Sequence, residues 1–130
     1  MENPTLLHRQ IHPSFIIGKQ ISSQVFEISS QVFTPTEKDG EKLSVYNGDK
    51  FSAQESYEHF SENFDSAGTV SVSVEECNNE ALKSLENNDP FDGHCYIDFT
   101  ELSKNQIKKK AQRLKAHAMK RGITFLPEKI

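Results

Sequence analysis

Apolar positions fall at helical spacing in one stretch more clearly than anywhere else in the chain. Ile107, Ala111, Leu114 and Ala118 stand at i, i+4, i+7 and i+11, a narrow stripe on a helix that turns about 100° per residue. Ahead of them, Ser103-Lys-Asn-Gln106 has the spacing of a capping box; behind them, Lys120, Arg121 and Gly122 suit the helix dipole and the C-terminal cap. Strict alternation takes over elsewhere. In residues 68–75, Val70, Val72 and Val74 face one way and Ser71 and Ser73 the other, which predicts a half-buried strand with Glu75 at its end. Shorter alternations predict strands at residues 43–46 and 94–99, the first closed by the Asn47-Gly48-Asp49 turn. Ser52-Ala-Gln-Glu55 is another capping box and opens a short helix reaching Phe60. Residues 78–85 predict a helical turn or two around Ala81, Leu82 and Leu85. Residues 8–17 read as extended with Pro13 at an edge or bend, and residues 123–126 as a closing strand. Together these predict a single α+β domain over residues 1–130. It is a small mixed sheet of about four to six strands, with helices on one side and the basic amphipathic C-terminal helix packed on it.

An internal repeat interrupts this pattern. Ile-Ser-Ser-Gln-Val-Phe-Glu at 21–27 is followed at once by Ile-Ser-Ser-Gln-Val-Phe-Thr at 28–34, with six of seven positions identical. Ile, Val and Phe favour strands, yet an odd period turns the second copy's inward positions outward in a continuous strand. A helix would keep Ile21, Val25, Ile28 and Val32 on one side, because seven residues make close to two turns. Composition favours strands broken by a turn or bulge, with the second copy in the core and the first an insertion before it.

Composition bounds the class. A chain of 130 residues, 35% apolar and 26% charged, is polar for a globular domain but long enough for one core, and nine Phe and three Tyr supply its large pieces. Residues 1–10 lack the apolar run of a signal peptide, and nothing approaches the roughly 18 apolar residues of a membrane span. Cys77 and Cys95 match no zinc or redox spacing. The expectation is a soluble cytoplasmic protein whose two thiols stay reduced and pack as small hydrophobes. Charge divides unevenly: residues 1–101 hold 18 acidic and 6 basic side chains, residues 102–127 hold 8 basic and no acidic ones, and the whole chain is −4. That asymmetry calls for a partner at the basic end or for pairing with the acidic body.

Helical phasing puts Lys109, Arg113 and Lys120 on the outermost face of the C-terminal helix, with Lys104, Lys108 and Lys115 flanking its apolar stripe. Such a display can meet an acidic protein or a phosphate backbone. No aromatic series for base stacking accompanies it and the pI is near 5.7, which favours the acidic protein over nucleic acid. The five histidines form no metal-ligand motif: His8 and His12 are four apart, but Pro13 and extended surroundings deny them a shared helical face. The Asn87-Asn-Asp-Pro-Phe-Asp-Gly93 loop lacks the spacing of a calcium loop and suits a turn whose Asn and Asp side chains bond their own backbone. No metal is expected. The glycines are too dispersed for a phosphate-cradling loop, and no serine sits in a nucleophile elbow.

One arrangement has a catalytic counterpart. Arg9 on a first segment, a Ser-Ser pair such as Ser29-Ser30 on a second and Glu75 at a strand end resemble the arginine, serine and glutamate of ADP-ribosyltransferases. The resemblance covers three short stretches without a linking motif. It implies an arginine that holds the phosphates of NAD, serines that order the pocket and a glutamate that supports transfer. A pocket collecting Arg9, His12, Ser30 and Glu75 would favour such an enzyme; their dispersal would favour a binding module. The chain as a whole favours a non-enzymatic interaction or accessory protein, with no cofactor, whose basic helix binds an acidic partner. An NAD-using transferase and a nucleic-acid-binding accessory protein are the alternatives.

Overall fold

A computed structural model of the chain describes residues 1–19 and 26–127. Strands β1 (Leu6–Gln10), β4 (Lys42–Asn47), β5 (Thr69–Ser73), β6 (Lys83–Glu86) and β7 (His94–Asp98) form one sheet in the order β5-β1-β4-β7-β6. Every neighbouring pair in it is antiparallel. Strands β2 (Ile16–Lys19) and β3 (Phe26–Ile28) pair separately as a two-stranded ladder. The helices are α1 (Ala53–Ser61), α2 (Val74–Asn79) and α3 (Lys104–Arg121).

Each helix starts where a serine and an acid or amide close a capping box: Ser52 with Glu55, Ser73 with Glu76 and Ser103 with Gln106. In each, the serine hydroxyl accepts from the third helical N–H while the partner side chain accepts from the serine N–H. The middle box changes the expected layout. Its signature, Ser73-Val-Glu-Glu76, ends β5 and begins α2, so Glu75 sits in the first turn of a helix and not at a strand end. The helix expected around Ala81 is displaced accordingly: Ala81 turns the chain at φ +59 and residues 83–86 are the outer strand β6.

The apolar face of the sheet carries Leu7, Val70, Val72, Leu43, Val45, Cys95 and Ile97, which alternation and register place on one side. The stripe Ile107, Ala111, Leu114 and Ala118 is the buried side of α3, as its spacing predicts. The second repeat copy completes this layer, with Ile28, Val32 and Phe33 fully buried. It does so as the end of β3 followed by a 3-10 turn, Ser30–Phe33, capped by the Ser29 hydroxyl, and not as a strand throughout. Residues 21–25 of the first copy lie outside the described residues.

The opposite face is buried too, under α1. Ser71 and Ser73, expected on the uncovered face of a half-buried strand, form a buried polar layer with Thr69, His8 and Gln10. Gln10 donates to the Ser56 hydroxyl at 3.0 Å and accepts from Ser66 at 2.8 Å and Thr69 at 3.2 Å. Residues 123–126 close over β5 by a single bridge, Thr69 with Phe125, which covers part of that sheet edge. Both thiols are free and buried, and burial pushes Cys77 up to about 12 and Cys95 up to about 11. Among the described residues no helix is long and apolar enough to cross a membrane.

Leu114 is fully buried and Lys109 exposed on the far side of the same helix. Leu114→Ala is expected to cost about 2–5 kcal/mol in chemical denaturation, and Lys109→Ala to stay within about 0.5 kcal/mol. Equal losses from the two would mean that α3 docks through another face.

Candidate functional site

A cleft of about 600 Å³ opens on the polar side of the sheet, and four of the five histidines line it: His8, His12, His59 and His94. The rest of its wall is largely aromatic, from Phe15, Tyr46, Phe60, Phe64 and Phe91. Four separate parts of the chain bring these groups together. β4 presents Tyr46, α1 presents His59, Phe60 and Phe64 just beyond its end, the loop before β7 and that strand's first residue present Phe91 and His94, and β1 with the turn after it presents His8, Arg9, His12 and Phe15.

Local chemistry fixes each contribution. Tyr46 stacks on Phe91 with ring centroids 5.1 Å apart and meets Phe51 edge-on at 5.0 Å, geometries that aromatic quadrupoles favour. Its hydroxyl lies 2.9 Å from His59 Nδ1, tying β4 to α1. Burial, with the charge of Glu62 behind it, pushes the Tyr46 pKa up to about 12, so the phenol keeps its proton. The loop turns tightly because the Asn88 side chain accepts from the Gly93 N–H at 2.9 Å. Gly93 has φ +102, and a Cβ there would come within 2.5 Å of the Phe51 ring, so only glycine lets the loop close on the aromatic cluster.

Arg9 lies where β1 and β4 part. The two strands pair only at Leu7 with Asn47 and His8 with Tyr46. By register Arg9 starts on the face of Leu7 and Val70, and it borders the cleft only through the gap beyond that point. Its side chain fills this gap, donating from Nε to the Val32 carbonyl at 2.8 Å and from a terminal nitrogen to the Ser44 carbonyl at 2.9 Å. Burial lowers its pKa to about 10, with Asp39 opposing the shift, and the guanidinium remains charged at neutral pH.

His8 is the most buried of the four histidines in the cleft wall. Its Nε2 can only donate to the Phe51 carbonyl, at 3.1 Å, and its Nδ1 lies 2.7 Å from the Ser71 hydroxyl, which in turn meets Thr124 at 2.9 Å. A serine beside an imidazole suggests a nucleophile and its base. Ser71 is fully buried, however, and the imidazole's other nitrogen is held by a backbone carbonyl, so the pair joins β1, β5 and the closing segment rather than presenting a reactive hydroxyl. Among the described residues no three His, Cys, Asp or Glu side chains come together as a metal-holding group.

Of the residues singled out for a transferase pocket, Arg9 and His12 share the cleft. Ser30 lies in the 3-10 turn that gives Arg9 its Val32 carbonyl, with its own carbonyl accepting from Thr34. Glu75 is elsewhere. Arg9 is level with Val70, and three strand residues, roughly 10 Å, separate Val70 from Ser73; Glu75 lies beyond, exposed, with its N–H on the Asn3 carbonyl. Tyr46, His59, Phe60, Phe64, Phe91 and His94, which complete the cleft, carry no shared spacing in the sequence.

The basic helix divides into two sets. Arg113 pairs with Glu80 at 3.2 Å, Lys115 with Glu27 at 3.2 Å and Arg121 with Glu76 at 2.8 Å, while Lys110 donates to the Glu80 carbonyl. The hydrogen bond from His117 is the largest cause holding the Glu80 carboxyl below its usual range, with Arg113 adding to it. Lys104, Lys108, Lys109 and Lys120 have no acidic partner among the described residues. Comparison with protein-family models, with curated proteins and with solved structures finds no match to this chain.

Burial holds His8 and His94 below the ordinary histidine value, against opposing pulls from the Phe51 carbonyl and from Asp89. The unfolded chain therefore takes up protons as pH falls below about 6.5, before the folded one does. The stability contributed by the neutral rings is complete above about 6.5 and is lost as pH falls through their lowered folded values. Thermal melts should fall as pH drops below about 6.5, and His8→Gln should flatten the slope; an unchanged slope in that variant would mean that His8 is not the group responsible.

Proposed function

We propose that this is a non-enzymatic binding protein of the cytoplasm and that the aromatic and histidine cleft is its ligand site. The carrying observation is the cleft itself: concave, about 600 Å³, walled by aromatic rings and provided with a few fixed polar groups, the usual make-up of a small-molecule site. Phe64 stands at its rim with 64% of its surface exposed, an apolar face that a bound ligand would cover. Binding without turnover accounts for the polar groups better than catalysis does. The thiols are buried with raised pKa values, Ser71 is sealed in, and Glu75, the carboxylate a transferase would need, lies away from Arg9 and His12. Two buried free thiols also suit a reducing compartment.

A second reading concerns α3. Its lysines without an acidic partner among the described residues, Lys109 and Lys120 outermost, offer an acidic protein partner a surface, while Arg113 is engaged by Glu80. The aromatic cleft lies on the other side of the sheet from α3. The lysines thus have no stacking platform beside them, which favours an acidic protein over nucleic acid.

Two measurements separate these readings. Phe64→Ser should weaken capture of a neutral aromatic fluorophore several-fold while leaving the melting temperature within a few degrees; unchanged capture would remove the cleft from consideration. The Lys109→Gln, Lys120→Gln double variant should weaken and flatten any salt-dependent binding to polyglutamate, with no loss of stability, whereas Arg113→Gln should cost stability through Glu80. Polyglutamate binding indifferent to the double variant would discard the second reading.

A further inference from the structure

The chain has three arginines, and two of them, Arg113 and Arg121, each meet a glutamate at the surface. Arg9 is more buried than either, yet no carboxylate among the described residues lies within ion-pair distance of it. Its contacts are two backbone carbonyls, of Val32 and Ser44. A guanidinium has five N–H groups in a planar fork, so most of the fork is left without an acceptor among the described residues, on the wall of a largely aromatic cleft. A half-buried cation bonded to neutral carbonyls, with Asp39 acting on it from beyond ion-pair distance, is stabilised further by any group that brings a negative charge into contact.

On the ligand-site reading above, we infer that the cleft takes a small organic acid, a planar apolar body bearing one carboxylate, and that Arg9 receives the carboxylate. A carboxylate matches the guanidinium fork in a bidentate, charge-assisted pair. A second donor lies near. The Ser14 N–H donates to His12 Nδ1 at 3.1 Å, which leaves the ring proton on Nε2 in the neutral tautomer. The planar body would lie among Phe15, Phe60 and Phe91, which line the cleft and are partly exposed, beside the buried Tyr46 ring.

Charge in the surroundings limits the ligand to one negative group. Among the described residues no lysine lines the cleft and Arg9 is its one fixed cation, and burial lowers the pKa of His8 and His94. Asp39, Glu62 and Asp89 act on Arg9, Tyr46 and His94 from just outside. A phosphate, with charge near −2, would set its second charge against those carboxylates. A cationic ligand would meet Arg9 with no carboxylate between them.

The test compares naphthoate with naphthamide, its neutral isostere, by calorimetric titration of the intact protein at neutral pH. Naphthoate should bind at least about tenfold more tightly, and adding it should shift the side-chain Nε–H resonance of Arg9 in the wild-type protein. Arg9→Gln, checked by thermal melt to be folded, should bring the two affinities together. Phe64→Ser should weaken both probes alike. Equal wild-type affinities would overturn the carboxylate inference and leave the cleft as a ligand site. Binding of neither probe would end both readings. An unmoved Arg9 resonance, or a folded Arg9→Gln variant that still prefers naphthoate, would overturn the assignment to Arg9; if that variant does not fold, the wild-type ratio and resonance decide.

Discussion

Strands β1 and β5 are covered on both faces, and only one of those faces is apolar. That asymmetry is the constraint from which the rest follows. Leaving a buried hydroxyl, amide or imidazole without a partner costs about 1–3 kcal/mol, so His8, Gln10, Thr69 and Ser71 must find their partners within the layer above the sheet. They find them in one another, in Ser56 of α1, in Ser66 and in Thr124. Apolar packing would tolerate some sliding; hydrogen bonds at these distances do not. The helix α1 is thereby fixed in register over β1, and its His59 is delivered to Tyr46 in the cleft wall.

The part of the fold decided by local periodicity was legible. The stripe of α3, the valines of β5 and the capping boxes at Ser52 and Ser103 each concern residues a few positions apart, and each is realised. Ser73-Val-Glu-Glu76 has the same capping-box spacing, but it lies inside the alternation that predicts a strand to Glu75. What sequence could not convey was the fate of the serines. A Val-Ser-Val-Ser pattern is the same whether its serines meet water or a buried hydrogen-bonded layer, and Ser71 and Ser73 meet the latter. The repeat was ambiguous for a related reason. The i, i+4 relation of Ile28 and Val32 suits a helical turn and their side-chain types suit a strand, and the Ser29 cap tips the balance toward a 3-10 turn.

The site was legible only in fragments. Arg9 and His12 stood out because arginine and histidine carry chemistry, and both reach the cleft. Tyr46, His59, Phe91 and His94 lie on a strand, a helix and a loop separated by long stretches of chain. No spacing rule joins them; the sheet register and the Gly93 turn do. The charge asymmetry, legible as a total, divides in three dimensions: Arg113, Lys115 and Arg121 hold α3 to the acidic body, and the lysines on its outer side do not.

The strand order β5-β1-β4-β7-β6 sets a schedule for assembly as well as a shape. The first strand of the sheet to leave a ribosome is the one that ends between two later ones. Its neighbour β4 begins at Lys42 and its other neighbour β5 at Thr69, while the Phe125 bridge that covers β5 comes later still. Until those segments emerge, Leu7 and Ile11 have no core to enter and both backbone edges of β1 are unpaired. A nascent chain of this protein thus carries a sticky, half-apolar strand through most of its synthesis. Its folding depends on closing long loops, the regime in which folding is slow and contact with other chains competes with contact within one.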